Sequence, residues 1–184
     1  MSWLWVLAVI ILVVILMTFI YYNRFITLAN RIENSLSQIN VQLKRRADLI
    51  PNLIETVKGY AKHEKMVIKS VNEARKALTN AKGIENKVRA DGLLESALGR
   101  LFAIAENYPD LKANTNFLEL QKELSTTEDR IAYARQFYND SILAYNNMIQ
   151  QLPGNLFATL FGRKEKKYLQ ITEIEKKKIK VEFS

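Results

Sequence analysis

The chain has no cysteine and a single histidine, His63. The first absence excludes disulfides and thiolate chemistry, and it fits a reducing compartment without requiring one. The second excludes a multi-histidine metal site within one chain. His63-Glu64 opens like a zinc-protease motif, but the residue four after the histidine is Val67, so no second imidazole faces the metal. An exposed or capping histidine is the expectation. The six glycines are scattered and form no phosphate-cradling loop, and no serine or threonine has a nucleophile-elbow context. Acids are plentiful, but their spacing is that of a solvated helix, not of a converging catalytic pair. No catalytic, cofactor-binding or metal-ligating residue is therefore assigned.

Charge is absent from one long run. WLWVLAVIILVVILMTFIYY, Trp3 to Tyr22, holds no Asp, Glu, Lys, Arg or His. Twenty residues at 1.5 Å each span roughly 30 Å, the thickness of a bilayer core. Trp3, Trp5, Tyr21 and Tyr22 stand at its ends, as interfacial aromatics do. A cleaved signal peptide would want a basic start, a shorter apolar core and a small-x-small site, none of which is visible. The segment reads as an uncleaved anchor. It has no small-xxx-small glycine pair, hence no GxxxG dimer face. All 27 Lys+Arg and all 19 Asp+Glu follow it, so the remainder carries the whole net charge of +8. Arg24, Arg31 and then Lys44-Arg45-Arg46 place the C-terminal side in the cytoplasm by the positive-inside rule.

The remainder reads as helix. Phe25, Leu28, Ile32, Leu36, Ile39 and Leu43 recur at steps of three and four, with no Gly or Pro between them and the anchor. Anchor and first helix are expected to be continuous. Pro51 is expected to kink that rod near Leu49-Ile50 or to open a new helix. The stripe resumes at Leu53, Val57 and Tyr60 and runs through Val67, Val71, Ala74 and Leu78 to a polar loop, Asn80 to Lys87, around Gly83. A third helix carries Leu94, Leu98, Leu101, Ala105 and Tyr108 and is closed by Pro109. Asn116, with Glu119 three residues on, is the expected cap of a fourth helix that stops at Pro153-Gly154. The predicted fold is all-α: a transmembrane helix continuous with an antiparallel bundle of three to four long helices. The segments are the anchor at 1–23, the bundle at 24–152, and an amphipathic segment with a basic tail at 153–184.

In that last segment Leu156, Phe157, Leu160 and Phe161 precede Arg163, Lys164, Lys166 and Lys167. Folding back to cap the bundle is the preferred reading, and contact with an anionic membrane surface is the alternative. From Arg163 on there are eight Lys/Arg against four Glu. KIKVEFS alternates like a strand with no visible partner. Nucleic-acid binding is not expected, because the charge is split between a short run and a tail with no aromatic-studded basic face. On a straight rod Lys44 lies roughly 33 Å beyond Tyr22, several Debye lengths from headgroups.

Four charges fall on the apolar stripes: Arg46, Glu64, Glu128 and Arg135. Unpaired burial would cost several kcal/mol each. At least one inter-helix contact is expected to join Arg46 or Arg135 to Glu64 or Glu128. The functional alternative is a polar pocket for a small ligand.

QINVQLKRRADLIPNLIETVKGYAKHE resembles the central signature of the LemA family. So do VNEAR (Val71–Arg75), LFAIAENYPDLKANTNF (Leu101–Phe117), LQKELSTTEDRIAYARQFYN (Leu120–Asn139) and Tyr145-Asn146 before Pro153. The resemblance implies a bacterial membrane protein with a short extracellular N-terminus and a helical domain behind the anchor. It implies no enzymatic activity, cofactor or catalytic residue. Magnetosome proteins of the MamQ type are relatives, and some relatives are associated with membrane proteases of the HtpX type. The expected role is a membrane-anchored scaffold or adaptor whose partners are the lipid bilayer and other proteins or copies of itself. A ligand-sensing bundle is the second reading.

Overall fold

A computed structural model of the chain describes residues 2–61 and 63–169. Among these residues the regular structure is entirely helical: α1 Ser2–Tyr60, α2 Lys65–Asn80, α3 Ile84–Ala105, the single turn α4 Pro109–Lys112, α5 Thr115–Gln150 and the short α6 Gly154–Leu160. The KIKVEFS segment lies outside the described residues.

α1 joins the apolar run to the first bundle helix without interruption, as the stripe predicts. Its most apolar 18-residue window has a mean hydropathy of 3.0 and none of it is buried. Beyond that window, Phe25, Ile32, Ile39, Leu43, Ile50, Leu53 and Val57 are buried at helical spacing.

Contacts divide the chain into two compact units. The first comprises the residues up to Ser37 with Arg135–Tyr168, and the second is built from Gln38–Ala134. In the first, the start of α1 lies antiparallel to the end of α5. Phe25 meets Tyr145 edge to face at 5.9 Å, and the Ser35 and Ser141 hydroxyls approach to 3.4 Å. Phe25, Ile32, Ile142, Tyr145 and Met148 form its core. After the Pro153 turn, α6 folds back onto α1, the outcome preferred from sequence. Phe157 stacks on Tyr21 at 4.8 Å, and Phe161 packs on the edge of Tyr22 at 5.4 Å. Gly154 permits this, because a Cβ there would collide with the Met148 carbonyl oxygen.

The second unit packs α2 and α3 against the remainder of α1 and the first half of α5. α2 buries Ile68, Val71, Ala74 and Leu78; α3 buries Leu94, Leu98, Leu101 and Ala105. Three boundaries differ from expectation. The helix passes through Pro51 and ends at Tyr60, so the joint lies at Ala61–Glu64 and not at the proline. α3 stops at Ala105, and Pro109 occupies the first turn of α4, where its missing N–H is harmless. The cap of α5 is Asn114, not Asn116: its Oδ1 accepts the Phe117 N–H at 3.0 Å. Its Nδ2 also donates to the Tyr60 hydroxyl at 3.0 Å, so one side chain starts α5 and ties it to the end of α1.

Candidate functional site

The polar centre of the second unit grows from Arg46. The α1 stripe carries this residue inward between Leu43 and Ile50, and it is 1% exposed. Its Nη1 donates to Asp91 Oδ1 on α3 at 3.0 Å, and its Nη2 to Glu128 Oε2 on α5 at 3.4 Å. One guanidinium thereby joins three helices. Asp91 is as buried as Arg46, whereas the Glu128 side chain is half exposed. The Asp91 contact is therefore the strong one and the Glu128 contact is screened by water. The neighbours in the basic run diverge. Lys44 pairs with Asp48 one turn on at 2.6 Å, and Arg45 reaches Glu123 on α5 at 2.7 Å.

The expected pairing is present as Arg46–Glu128, with refinements. On α5 the fully buried position belongs to Thr127, whose hydroxyl donates to its own helix at the Glu123 carbonyl. Glu128 lies one residue off the core, at its wet edge. Glu64, in the joint before α2, accepts the Tyr108 hydroxyl at 2.9 Å. That hydrogen bond, with burial and the Glu64 charge behind it, raises the Tyr108 phenol above its ordinary value. Arg135 is half-buried on α5 in the first unit. His63 is exposed in the turn that precedes Glu64. Within the second unit Arg46 is enclosed by carboxylates and Glu64 is engaged by a phenol.

Pro51 explains a further residue. A proline has no N–H to give the carbonyl four residues back, which is that of Ala47. Ala47 is buried, so this carbonyl needs another donor. Arg75 supplies it from α2, its Nε donating to the Ala47 oxygen at 2.9 Å. Pro51 itself is exposed, at the flank of the buried stripe. The helix thus survives its proline because a second helix replaces the missing bond.

In the first unit Asn146, 5% exposed, brackets the backbone of the segment after α6. Its Nδ2 donates to the Lys166 carbonyl at 2.8 Å, and its Oδ1 accepts the Lys166 N–H at 2.9 Å. Lys166 Nζ lies 5.6 Å from the Tyr145 ring centre.

Sequence reasoning singled out neither Asp91 nor the roles of Arg75 and Asn146. Asp91 was within reach, since the α3 stripe of Leu94, Leu98, Leu101 and Ala105 extends back one step of three to it. The other two leave no periodic trace. Their partners are backbone atoms, and nothing in a sequence marks those.

A helical bundle whose first helix begins as a candidate membrane span, with its buried Arg46–Asp91 pair joining two helices, defines an all-α protein of the anchored-bundle class. The chain belongs to the LemA family, whose sequence model matches residues 35–183. That match starts beyond the apolar run and extends past Phe161. Among similar proteins, Magnetosome protein MamQ of Magnetospirillum gryphiswaldense is 29% identical over 173 residues, covering 80% of this chain and 64% of that protein. Magnetosome protein MamQ 2 of Paramagnetospirillum magneticum is 27% identical over 175 residues, covering 81% and 64%. Protein LemA of Metamycoplasma hominis is 28% identical over 148 residues, covering 80% and 68%. The chain thus spans under two thirds of the length of the MamQ relatives.

Proposed function

We propose that this LemA-family protein is a membrane-anchored scaffold or adaptor. Trp3–Tyr22 crosses the bacterial cytoplasmic membrane with the short N-terminus outside, and the bundle in the cytoplasm recruits protein partners or self-associates. The reading assigns the chain no reaction. The observation that carries it is α1 itself, a single helix that is apolar and unburied at its start and forms bundle core further on. Anchoring and bundle assembly thus share one element. Arg24 and Arg31, the first charges after the run, support the orientation.

Crosslinking in intact cells tests the role: a discrete heteromeric partner or a homo-oligomer is expected, and a protein that remains a solitary monomer refutes it. Topology is tested separately with Ser184→Cys in this cysteine-free chain. Labelling of intact cells by an impermeant thiol reagent refutes the orientation.

One feature favours the second reading, a ligand-sensing bundle. A cleft of about 490 Å³ between the end of α1 and the start of α2 has Ile54 and Ile68 with Lys58, Lys65 and Lys69 around it. It suits an anionic amphiphile. Unchanged melting of the protein across a panel of such compounds would dismiss it.

A further inference from the structure

We propose that α6 and the basic turn after it form an interfacial foot, bedded in the anionic leaflet where the apolar span of α1 ends. The inference rests on the reading that Trp3–Tyr22 crosses a bilayer, and it names a second membrane contact that the reading does not contain.

The argument begins with depth. Tyr21 and Tyr22 close the apolar run, and Arg24 is the first charge beyond it. Phe157 is stacked on Tyr21 and Phe161 is set against Tyr22. α6 is therefore held at the level where hydrocarbon gives way to headgroups. An α-helix with its side chains is about 10–12 Å across. Its outer face consequently lies within one helix diameter of that boundary, whichever way it turns.

The second step is what that face carries. α6 is two-sided. Gly154 and Ala158 are buried, and Phe157 and Phe161 are packed on α1. Leu156 and Leu160, four residues apart on the other side, are 64% and 69% exposed, and Leu152, in the turn before the helix, is 77% exposed. Two leucines in water on a two-turn helix, with a third in the turn before it, are unfavourable. At the edge of a bilayer the same residues meet acyl chains, as in helices that lie in the interface with an apolar face sunk about 5–10 Å.

The third step is charge. Gly162, at φ 62°, ends α6 in the left-handed conformation that favours glycine. Its N–H reaches the Thr159 carbonyl, and the Arg163 N–H reaches that of Ala158 at 2.8 Å. The chain reverses there. Gln150 meets Glu165 and Asn146 brackets Lys166, so the segment runs back along α5, away from the span. Arg163 and Lys164 consequently sit at the start of this return, nearest the α6 level. Arg24 joins them from α1, in a notch of about 270 Å³ that it lines with Tyr21, Asn147, Gln151 and Leu152. Cations beside an apolar face at this depth suit lipid phosphates.

The absence of native cysteine makes the test direct. Full-length single-cysteine variants Leu156→Cys, Leu160→Cys, Val13→Cys and Glu33→Cys carry a bimane probe in vesicles of phosphatidylcholine and phosphatidylglycerol with brominated acyl chains. Probes at 156 and 160 are expected to be quenched by lipid bromine at least about twofold more than the probe at 33, an exposed α1 position roughly 18 Å beyond Tyr21 on the helix. If 13 is quenched but 156 and 160 behave like 33, the foot is refuted and the span stands. If 13 also escapes quenching, both readings fall. Spin-labelled lipids test the headgroup half. Immobilised phosphatidylglycerol should exceed immobilised phosphatidylcholine in the unmodified protein, and the excess should disappear in Arg24→Gln/Arg163→Gln/Lys164→Gln. Equal immobilisation of the two lipids in the unmodified protein overturns the anionic contact.

Discussion

Replacing Arg46 by methionine isolates the energetics of the buried pair. The substitution keeps an unbranched side chain of similar length in the stripe between Leu43 and Ile50. It removes the 3.0 Å partner of Asp91, whose side chain is 6% exposed. Breaking a buried ion pair by removing one partner costs about 3–5 kcal/mol. Glu128, half exposed, turns to water and adds less than about 1 kcal/mol. The sum is a large fraction of the stability of a typical domain. For a unit of about 100 residues, each kcal/mol moves Tm by roughly 4–8 °C, so a fall of more than 10 °C is expected. Asp91→Leu alone leaves the buried guanidinium with only the half-exposed Glu128, 3.4 Å away, and should cost a similar amount. The double variant Arg46→Met/Asp91→Leu strands no charge and is expected within about 1–2 kcal/mol of the unmodified protein, because an apolar pair replaces an ionic one. The assay is denaturant unfolding of the full chain in non-ionic detergent, followed by far-ultraviolet circular dichroism. The tryptophans are unsuitable reporters, since both lie in the apolar run at Trp3 and Trp5. Single variants within about 1 kcal/mol of the parent, or a double variant as damaged as the sum of the singles, would refute the reasoning.

Arg75→Met strands the buried Ala47 carbonyl and should cost about 1–3 kcal/mol, but clearly less in a Pro51→Ala background, where a backbone N–H returns to that oxygen. Equal cost in both backgrounds rejects the account of how α1 passes its proline. Asn146→Ala removes both bonds to the Lys166 backbone; trypsin cleavage at Arg163 and Lys164 should accelerate several-fold while the bundle's melting changes little, and an unchanged digestion rate counts against the bracket. Asn114→Ala should lower stability by about 1 kcal/mol, the usual worth of a helix cap, whereas Asn116→Ala should be near neutral; the reverse order in unfolding curves refutes the cap assignment. Glu64 raises the Tyr108 phenol, so the folded state favours the neutral hydroxyl. Its contribution is complete below the ordinary tyrosine value of about 10 and is lost as pH rises through the higher folded value. Stability measured for Tyr108→Phe should therefore fall below that of the parent near neutral pH and converge with it in strong alkali, and a gap that widens with alkali contradicts the sign.

Legibility in the sequence followed periodicity. The continuous α1, the three later long helices and the fold-back of α6 rest on stripes and on Pro-Gly punctuation, and those are local properties of the chain. The position of Arg46 was legible for the same reason, because a charge in a stripe of threes and fours must be buried or strained. The stripe resolves α5 only to within one residue, which is why Glu128 was assigned the core position that Thr127 holds. The sequence points to Asn116 because Glu119 completes a capping box, whereas the cap that forms at Asn114 needs only the Phe117 N–H and gains the Tyr60 hydroxyl from another helix. Tertiary hydrogen bonds of this kind decide boundaries, and no window of sequence contains both partners.

Pro51 shows how far such a bond reaches. Read locally, a proline and the residue before it argue for a break at Ile50. Read with Arg75, the same proline is an inter-helix device: it frees one carbonyl in the buried face of α1 for a donor that only α2 can bring. A helix that closed all its own bonds would offer α2 no polar address at this position. The α1–α2 alignment is fixed at Ala47–Arg75, and the α1–α3 alignment at Arg46–Asp91, one residue away. Two adjacent residues on α1 therefore set the register of two different helices. In a core otherwise made mostly of aliphatic side chains, these directional bonds add a register signal that non-directional packing supplies less sharply. The joint can then move to Ala61–Glu64, where Tyr60 meets Asn114 and Glu64 meets Tyr108. The two buried charges of this unit, Arg46 and Asp91, are thus accounted for by the alignment of its own helices.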